Sequence, residues 1–452
     1  MSLTVLREHF GARFSAAEAV RRHHGKDATF HTPHLPDAVV FAETVEDVQA
    51  VVRACHESGT PVVPFGAGTS LEGHIGALNG GVTVDLTGLD RIRAIHQDDM
   101  TCFVEPGVTR KQLNRELRAT GLFFPIDPGA DASLGGMVAT GASGTNAVRY
   151  GTMRENVLSL EVVLPDGQLI ETGTRARKSS AGYDLTRLYI GSEGTLGIVT
   201  GIHLRLYGIP ESIASAVCAF PTVNAAVDAV ILIIQSGIPV ARIELLDEMQ
   251  MEACNRYSKL DYALSPHIFF EFHGTAAGVA EQAEATGAIA QEFGGSDFAW
   301  STTTEKRNRL WQARHDAFFA AIALRPGAEG WPTDVCVPLS RLAECIAETR
   351  TDLMSAPFPT PIVGHVGDGN FHVIFVIDTN VAEEVRIATE LNDRLVRRAL
   401  AMGGTCTGEH GVGYGKMHFL EAEHPSALPF MRVIKRALDP KNIMNPGKIV
   451  RL

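Results

Sequence analysis

The chain has 452 residues, enough for two or three domains with cores of their own. Its 45% apolar and 20% charged residues are ordinary for a globular protein, and a net charge of −12 argues against nucleic acid as the main partner and against any general pull toward an anionic membrane. Seven cysteines, at 55, 102, 218, 254, 336, 345 and 406, include no CxxC pair, which excludes a disulfide framework or an iron–sulfur cluster and predicts free thiols in a reducing compartment.

Residues 1–25 read as one amphipathic polar helix. It lacks the apolar core of a signal peptide; it is somewhat Arg-rich, but Glu8 and Glu18 weaken a transit-peptide reading. The expected location is therefore cytoplasmic, or peripheral to a membrane on its cytoplasmic side. Residues 34–205 alternate short helices with short β-rich runs. Strands are predicted at 39–42, 62–65, 81–85, 92–96, 102–105, 157–164, 169–172 and 195–206. Helices are predicted at 44–58, capped by Thr44 with Glu46 and Asp47 in the first turn, and at 109–120, capped by Thr109 and closed by Gly121.

Three glycine-rich loops punctuate this region. Pro64, Gly66, Ala67, Gly68, Thr69 and Ser70 follow a strand and offer unobstructed backbone N–H groups plus two hydroxyls, which suits a pyrophosphate. The loop is neither a Rossmann GxGxxG nor a Walker A motif. The second loop runs from Asp127 to Gly144 and is dominated by small residues in its second half. The third is Gly191 to Thr200. One such loop is as easily a tight turn, but three together suggest a large nucleotide bound across one domain.

After Pro210 the glycine density drops. Helices are predicted at 224–236, 275–293, 303–323, 339–354 and 381–402, between strands at 213–219, 241–246, 267–273, 332–338 and 360–376. This pattern fits an antiparallel sheet with helices on one side. The apolar run 227–240 is too short for a membrane span and reads as a buried helix leading to a turn. The tail 405–452 reads as loop, a helix at 425–437, and a final loop.

The segment HVGDGNFH, 365–372, carries the sharpest chemistry. Asp368-Gly369 is a two-residue hairpin signal, because a type I′ turn needs positive φ at both central positions. Gly367 then pairs with Asn370, Val366 with Phe371, and His365 with His372, with Cβ atoms about 4.5–5.5 Å apart. Two imidazoles so placed can share a divalent metal. Glu409 is the candidate third ligand, with His410 beside it. Two histidines and a carboxylate suit Zn, Mn or non-haem Fe. The same residues also read as a plain hairpin with two hydrogen-bonded histidines.

PVVPFGAGTSLEGH, PGADASLGGMVATGASG, GSEGTLGIVT, GHVGDGNFH, GEHGVGYGK and NPGKIV occur in this order along nearly the whole chain. The chain thereby resembles the FAD-linked oxidases and dehydrogenases of the vanillyl-alcohol-oxidase/p-cresol-methylhydroxylase (PCMH) fold. Within that family it is most similar to the branch that holds cytochrome-type D-lactate dehydrogenase, the flavin-carrying chain of glycolate oxidase, and D-2-hydroxyglutarate dehydrogenase. The resemblance implies an α+β protein. A two-lobed PCMH-type FAD-binding domain would cover 1–208, with its core at about 34–208. An antiparallel-sheet, ferredoxin-like cap domain would cover 209–415, and 416–452 would return to the FAD domain.

The resemblance also implies roles for residues. FAD contacts are expected from Pro64, Gly66, Ala67, Gly68, Thr69 and Ser70; from Pro128, Asp131, Ser133, Leu134, Gly135, Gly136, Thr140, Ser143 and Gly144; from Glu193, Gly194 and Ile198 toward the adenine or ribose; and from Asn445 near the isoalloxazine. His365, His372 and Glu409 match the branch's metal ligands, with Zn or Mn as the metal, and His410 matches its base. FAD is expected to be non-covalent, because Thr69 follows Gly68 and His74 is the only nearby histidine. Arg314, on a helix, is the choice for a substrate carboxylate, against a plain ion pair with an acid. Asn370, Asp334 and Lys416 are further polar groups that could face the site.

The expected reaction is oxidation of a D-2-hydroxy acid, best D-lactate, with electrons passed to a cytochrome, a quinone or an electron-transfer flavoprotein. No second basic residue beside Arg314 is evident, which favours a monoacid. Alternatives are a flavin-carrying chain of the glycolate oxidase type, D-2-hydroxyglutarate dehydrogenase, an oxidase reacting with oxygen, and, from another class, a metal-dependent hydrolase. No membrane span is expected, and the oligomeric state is open between a single chain and a homodimer.

Overall fold

A computed structural model describes residues 2–27 and 29–452. The chain divides into two units, Met1–Gly144 with Gly151–Ile209 and Glu409–Leu452, and Thr145–Tyr150 with Pro210–Gly408.

The first unit is built on two sheets. In one, Ala38–Phe41, Val82–Asp85 and Val62–Phe65 pair in parallel. The helix Val45–Ser58 makes the crossover between Ala38–Phe41 and Val62–Phe65. It starts in a capping box: the Thr44 hydroxyl accepts from Asp47 N–H, and the Asp47 carboxylate accepts from Thr44 N–H. Val82–Asp85 is buried at every position, as a central parallel strand requires. The C-terminal segment joins this sheet at Val62, whose N–H donates to Ile443 O while its O accepts from Asn445 N–H. The second sheet is antiparallel, in the order Ile92–His96, Thr101–Val104, Ile198–Arg205, Val157–Val163, Leu169–Glu171. Its core includes Val104, Leu113, Phe124, Met137, Leu160 and Ile202.

The second unit is an eight-stranded sheet with helices. Its path runs Ser296–Ser301, Ser212–Ala219, His267–Gly274, Val240–Leu246, Ile362–Gly364, Asn370–Ile377, Glu329–Pro332. Every pairing along this path is antiparallel. The register decides which side chains share a face. Glu271 lies opposite Arg242 and Phe269 opposite Glu244; Leu246 lies opposite Val363, and Val363 opposite His372. One face is therefore apolar at one end and polar at the other. Val217, Leu246, Phe269, Val363 and Ile374 pack there with Trp311 of the helix Thr304–Ala323. Arg242, Glu244, Glu271, His273, His365 and His372 continue the same face.

Three expectations need correction. The N-terminal segment is two helices, Ser2–Phe10 and Glu18–His24, broken at Gly11, which takes φ +52°. The predicted strand 332–338 is two short strands, Glu329–Pro332 and Val335–Cys336. The hairpin at 365–372 is not a two-residue type I′ turn, because only Gly369 of its central pair has positive φ. Val363, not His365, lies opposite His372, and the loop is closed by Asn370 N–H donating to His365 O. The slip from the expected register is two residues. An even slip preserves facing, so both histidines still share one side of the sheet.

Asp247 precedes the helix Glu248–Ser258, which has no counterpart among the predicted elements, and its carboxylate accepts from Gln250 N–H. Burial pushes this carboxyl up to about 7, against the stabilising hydrogen bonds from Gln250 and Ile362. The folded state thus holds the proton more tightly than the unfolded chain, and stability is lost as pH rises from about 4 to about 7. Asp247→Asn keeps the cap acceptor and removes the charge. Its melting temperature should exceed the parent's at about pH 8, by roughly 2–4 °C per kcal/mol relieved, and the gap should narrow toward pH 5. Thermal melts across this range that run parallel would refute it.

Candidate active site

In the second unit, the polar end of the sheet face gathers a set of ionisable groups. His365 and His372 stand with ring centroids 5.5 Å apart. His365 Nδ1 lies 2.7 Å from Glu244 Oε1, and His372 Nδ1 lies 2.8 Å from Thr333 O. A carbonyl and a carboxylate only accept, so each Nδ1 donates, and in the neutral ring the lone pair is left on Nε2. That is the tautomer a metal-ligating histidine needs, with its other nitrogen tied to an acceptor. Glu244 is fully buried and also accepts from Arg314 Nε at 2.7 Å. Burial alone would raise the Glu244 pKa, but His365 and Arg314 outweigh it and hold the carboxyl below its ordinary value.

Beside this pair lies a second one. Arg242 Nε donates to Asn146 Oδ1 at 3.1 Å and sits 3.5 Å from Glu271 Oε1, with its guanidinium 5.2 Å from the Trp311 ring centroid. His273 bridges Glu271 Oε1, at 2.9 Å, and the Tyr150 hydroxyl, at 2.7 Å. Asn370 donates to Asp334 Oδ1 and Val335 O, and Thr407 donates to Asp334 Oδ2. Asn370 and Asp334 thus brace the loop below the histidines. Gly408 lies so close that a Cβ there would meet Asn370 Nδ2 at 2.4 Å.

In the first unit, the three glycine loops converge. A Cβ on Gly66 would lie 2.3 Å from Ser133 Oγ, and one on Gly194, at φ +71°, would lie 2.3 Å from Pro64 Cγ. Glu193 itself takes φ +53°. Its two carboxylate oxygens accept from Val412 N–H and Gly413 N–H, and its main-chain O accepts from Asn445 Nδ2. Asn445 Oδ1 in turn accepts from Lys448 Nζ, whose pKa burial lowers to about 8. His74 is buried, with Nε2 3.4 Å from Glu193 Oε1 and no hydrogen bond to either ring nitrogen among the described residues. Bare backbone, converging loops and an enclosed imidazole fit a large cofactor seated on this unit.

The other predicted residues divide by environment. Ala67 is exposed, and Pro128, Gly135, Gly136, Thr140 and Ser143 are partly exposed on their loops, open to a ligand. The Ser133 hydroxyl caps the helix Leu134–Thr140 by accepting from Gly136 N–H, and the Thr140 hydroxyl donates to Gly136 O. The Leu134 and Ile198 side chains are in hydrophobic cores, so a cofactor could meet these residues only through backbone. Asp131 is exposed, 3.9 Å from Lys111. The Ser70 hydroxyl donates to Asp27. Gly144 takes φ +149° against Asp127. Lys416 Nζ lies 3.1 Å from Glu72 Oε1, and His410 Nδ1 lies 4.0 Å from the same oxygen.

Arg242, Glu244, Glu271, His273, Glu72 and Thr333 stand beside predicted site residues and are not singled out by the sequence. Arg242 and Glu244 carry a usable signal: charges at i and i+2 within the apolar strand VARIELL mark one polar face of a buried strand. Glu72 and Thr333 carry none.

Residues 209–449 match the family described as FAD linked oxidases, C-terminal domain, and residues 36–173 match the FAD binding domain. The chain is 56% identical to "Probable D-lactate dehydrogenase, mitochondrial" of Danio rerio, over 97% of this chain and 89% of that one. It is 49% identical to "D-lactate dehydrogenase [cytochrome], mitochondrial" of Arabidopsis thaliana, over 95% of this chain and 76% of that one. The structure of p-cresol methylhydroxylase with substrate bound has the same fold at TM-score 0.80 and 17% identity, covering 99% of this chain and 96% of the other. Both relatives are named as mitochondrial proteins, which overturns the cytoplasmic location expected from the N-terminal residues. No helix among the described residues is long and apolar enough to cross a membrane.

Gly194 tests the cofactor cradle. Gly194→Ala forces a strained φ and a collision with Pro64, so the purified variant should retain substantially less FAD per chain than the parent. Flavin content equal to the parent's, measured by absorbance after denaturation, would count against the cradle.

Proposed function

The chain belongs to the FAD-linked oxidases, and from that premise we propose that it is a dehydrogenase that oxidises D-lactate to the 2-oxo acid in mitochondria, using FAD and not NAD and passing electrons to a cytochrome-type acceptor. The observation that supports it most is the histidine pair His365 and His372, with both Nδ1 atoms tied down, on the sheet face whose Glu244 is bonded by Arg314 from the helix Thr304–Ala323.

FAD, when bound, supplies the acceptor for the Cα hydrogen and its electron pair. A divalent metal, Zn or Mn, when bound, supplies a Lewis acid for the substrate hydroxyl. His365 and His372 would offer Nε2 to that metal, and Glu409 would be its third ligand. Glu409 follows Gly408, which packs against Asn370 and Asp334, and consecutive Cα atoms are about 3.8 Å apart. His410 accepts the hydroxyl proton on its imidazole. The Glu72 carboxylate, held by Lys416, sits 4.0 Å from His410 Nδ1 and favours the imidazolium that results. Arg314 receives the substrate carboxylate on its terminal nitrogens while Nε stays on Glu244. Asn370 positions the loop rather than the substrate, since its amide nitrogen is spent on Asp334 and Val335. FAD is held without a covalent bond, with His74 enclosed beside Glu193.

Anaerobic addition of D-lactate to the purified yellow protein should bleach the flavin band, whereas L-lactate should not. Prior chelation should slow bleaching, and added Mn or Zn should restore it. His410→Ala should keep its flavin and lose roughly 10²–10⁴-fold in the rate of bleaching. Bleaching by glycolate or D-2-hydroxyglutarate but not D-lactate would move the substrate, and indifference to chelation would remove the metal from the mechanism.

A further inference from the structure

We propose that Glu244 is a positioning residue that couples the metal-ligating imidazole of His365 to the carboxylate-binding guanidinium of Arg314. The inference rests on the metal reading above and deepens it. Glu244 stands on the strand Val240–Leu246 and is fully buried. Its two oxygens are divided: Oε1 takes His365 Nδ1 at 2.7 Å, and Oε2 takes Arg314 Nε at 2.7 Å. Both partners come from far along the chain, His365 from the end of the neighbouring strand and Arg314 from the helix Thr304–Ala323.

The arrangement differs from that at the other histidine. His372 Nδ1 is bonded to a main-chain carbonyl, Thr333 O, at 2.8 Å, with the Asp334 carboxylate farther off at 3.8 Å. His365 is held by a side chain, and that side chain is itself held by Arg314. Rotation of the Glu244 carboxylate about its last bond moves both oxygens together. A change at Arg314 is therefore transmitted to the His365 ring, and a change at His365 to Arg314. Substrate binding that draws on Arg314 and metal binding that draws on His365 share one rigid connector, so each should strengthen the other.

Glu244→Gln and Arg314→Met test this, singly and together, in the FAD-loaded full chain. Metal affinity is read by competition with a chromophoric chelator for Mn²⁺ and Zn²⁺, and KM and kcat for D-lactate are read separately. Retained flavin and an unchanged circular dichroism spectrum establish that each variant is folded. Glu244→Gln should weaken metal affinity about 10–100-fold and raise KM. Arg314→Met removes no ligand, yet it should weaken metal affinity several-fold as well as raise KM. The double variant should bind metal no more weakly than Glu244→Gln alone, because the connector is already gone. If the parent takes up no metal, the metal reading itself fails. If the parent binds metal and Arg314→Met binds it equally well, the coupling is overturned, and this outcome remains readable should Glu244→Gln not fold.

Discussion

The alternation of side chains across the second unit's sheet is the constraint on which its chemistry depends. Arg242 and Glu244 are two residues apart on one strand, and their cross-strand partners bring Glu271, and with it His273, to the same face. Continuing the pairing through Leu246 and Val363 to His372 keeps the same parity. A one-residue slip anywhere in this series would send His365 or Glu244 to the opposite face, where Ile243, Leu245, Phe270 and Phe272 are packed. The register is protected because those residues are apolar and buried. Moving Glu244 among them would bury an unpaired carboxylate, at a cost of several kcal/mol. The hydrophobic packing of one face thus secures the placement of the acid–base groups on the other.

The first unit solves a different problem, holding bare backbone in place. Its loops carry few large side chains, so they must be fixed by hydrogen bonds and close approach. Glu193 concentrates that role. A non-glycine residue at φ +53° is costly alone, but here the main chain and both carboxylate oxygens are bonded, which over-determines the conformation. Its N–H also donates to Ala139 O, so one residue joins the third loop, the helix Leu134–Thr140, the segment after His410 and Asn445. The segment that carries His410 and the cofactor loops consequently share a single anchor. The charge of this acidic residue is turned inward and satisfied by amides.

Local signals in the sequence locate most elements. The strand Ile92–His96 and the helix capped by Thr44 follow from alternation, capping and β-propensity over a few residues. The family motifs locate the cofactor loops and the two histidines. What local reading misses depends on distance along the chain. Glu244 meets His365 across 121 positions and Arg314 across 70, and no window of neighbouring residues encodes either meeting. The Asp368-Gly369 pair reads as a two-residue turn because its composition fits one, whereas Asp368 avoids positive φ and Gly369 alone supplies it. The Ser133 hydroxyl, expected to contact FAD, also caps the helix Leu134–Thr140, a second role set by the helix that follows it. In each case the residue type is informative, and the partner that decides its role lies elsewhere.

Charge balance on the polar face bears on the size of the acid. Arg242 has Glu271 beside it and Arg314 has Glu244, so neither arginine brings an unneutralised positive charge. Asp334, buried 3.8 Å from His372 Nδ1, adds a further carboxylate to the same set. On the proposed metal reading, a divalent ion with one carboxylate ligand would add a net single positive charge toward a substrate carboxylate. A second carboxylate, as in a 2-hydroxy diacid, would be left uncompensated unless a further cation accompanied it, and an unpaired buried carboxylate is strongly disfavoured. Arg242 is a second basic residue that the sequence does not reveal, and it stands to Glu271 as Arg314 stands to Glu244. The monoacid expected from the lack of a second basic residue is thus not supported by this face, and D-lactate rests on the named relatives instead.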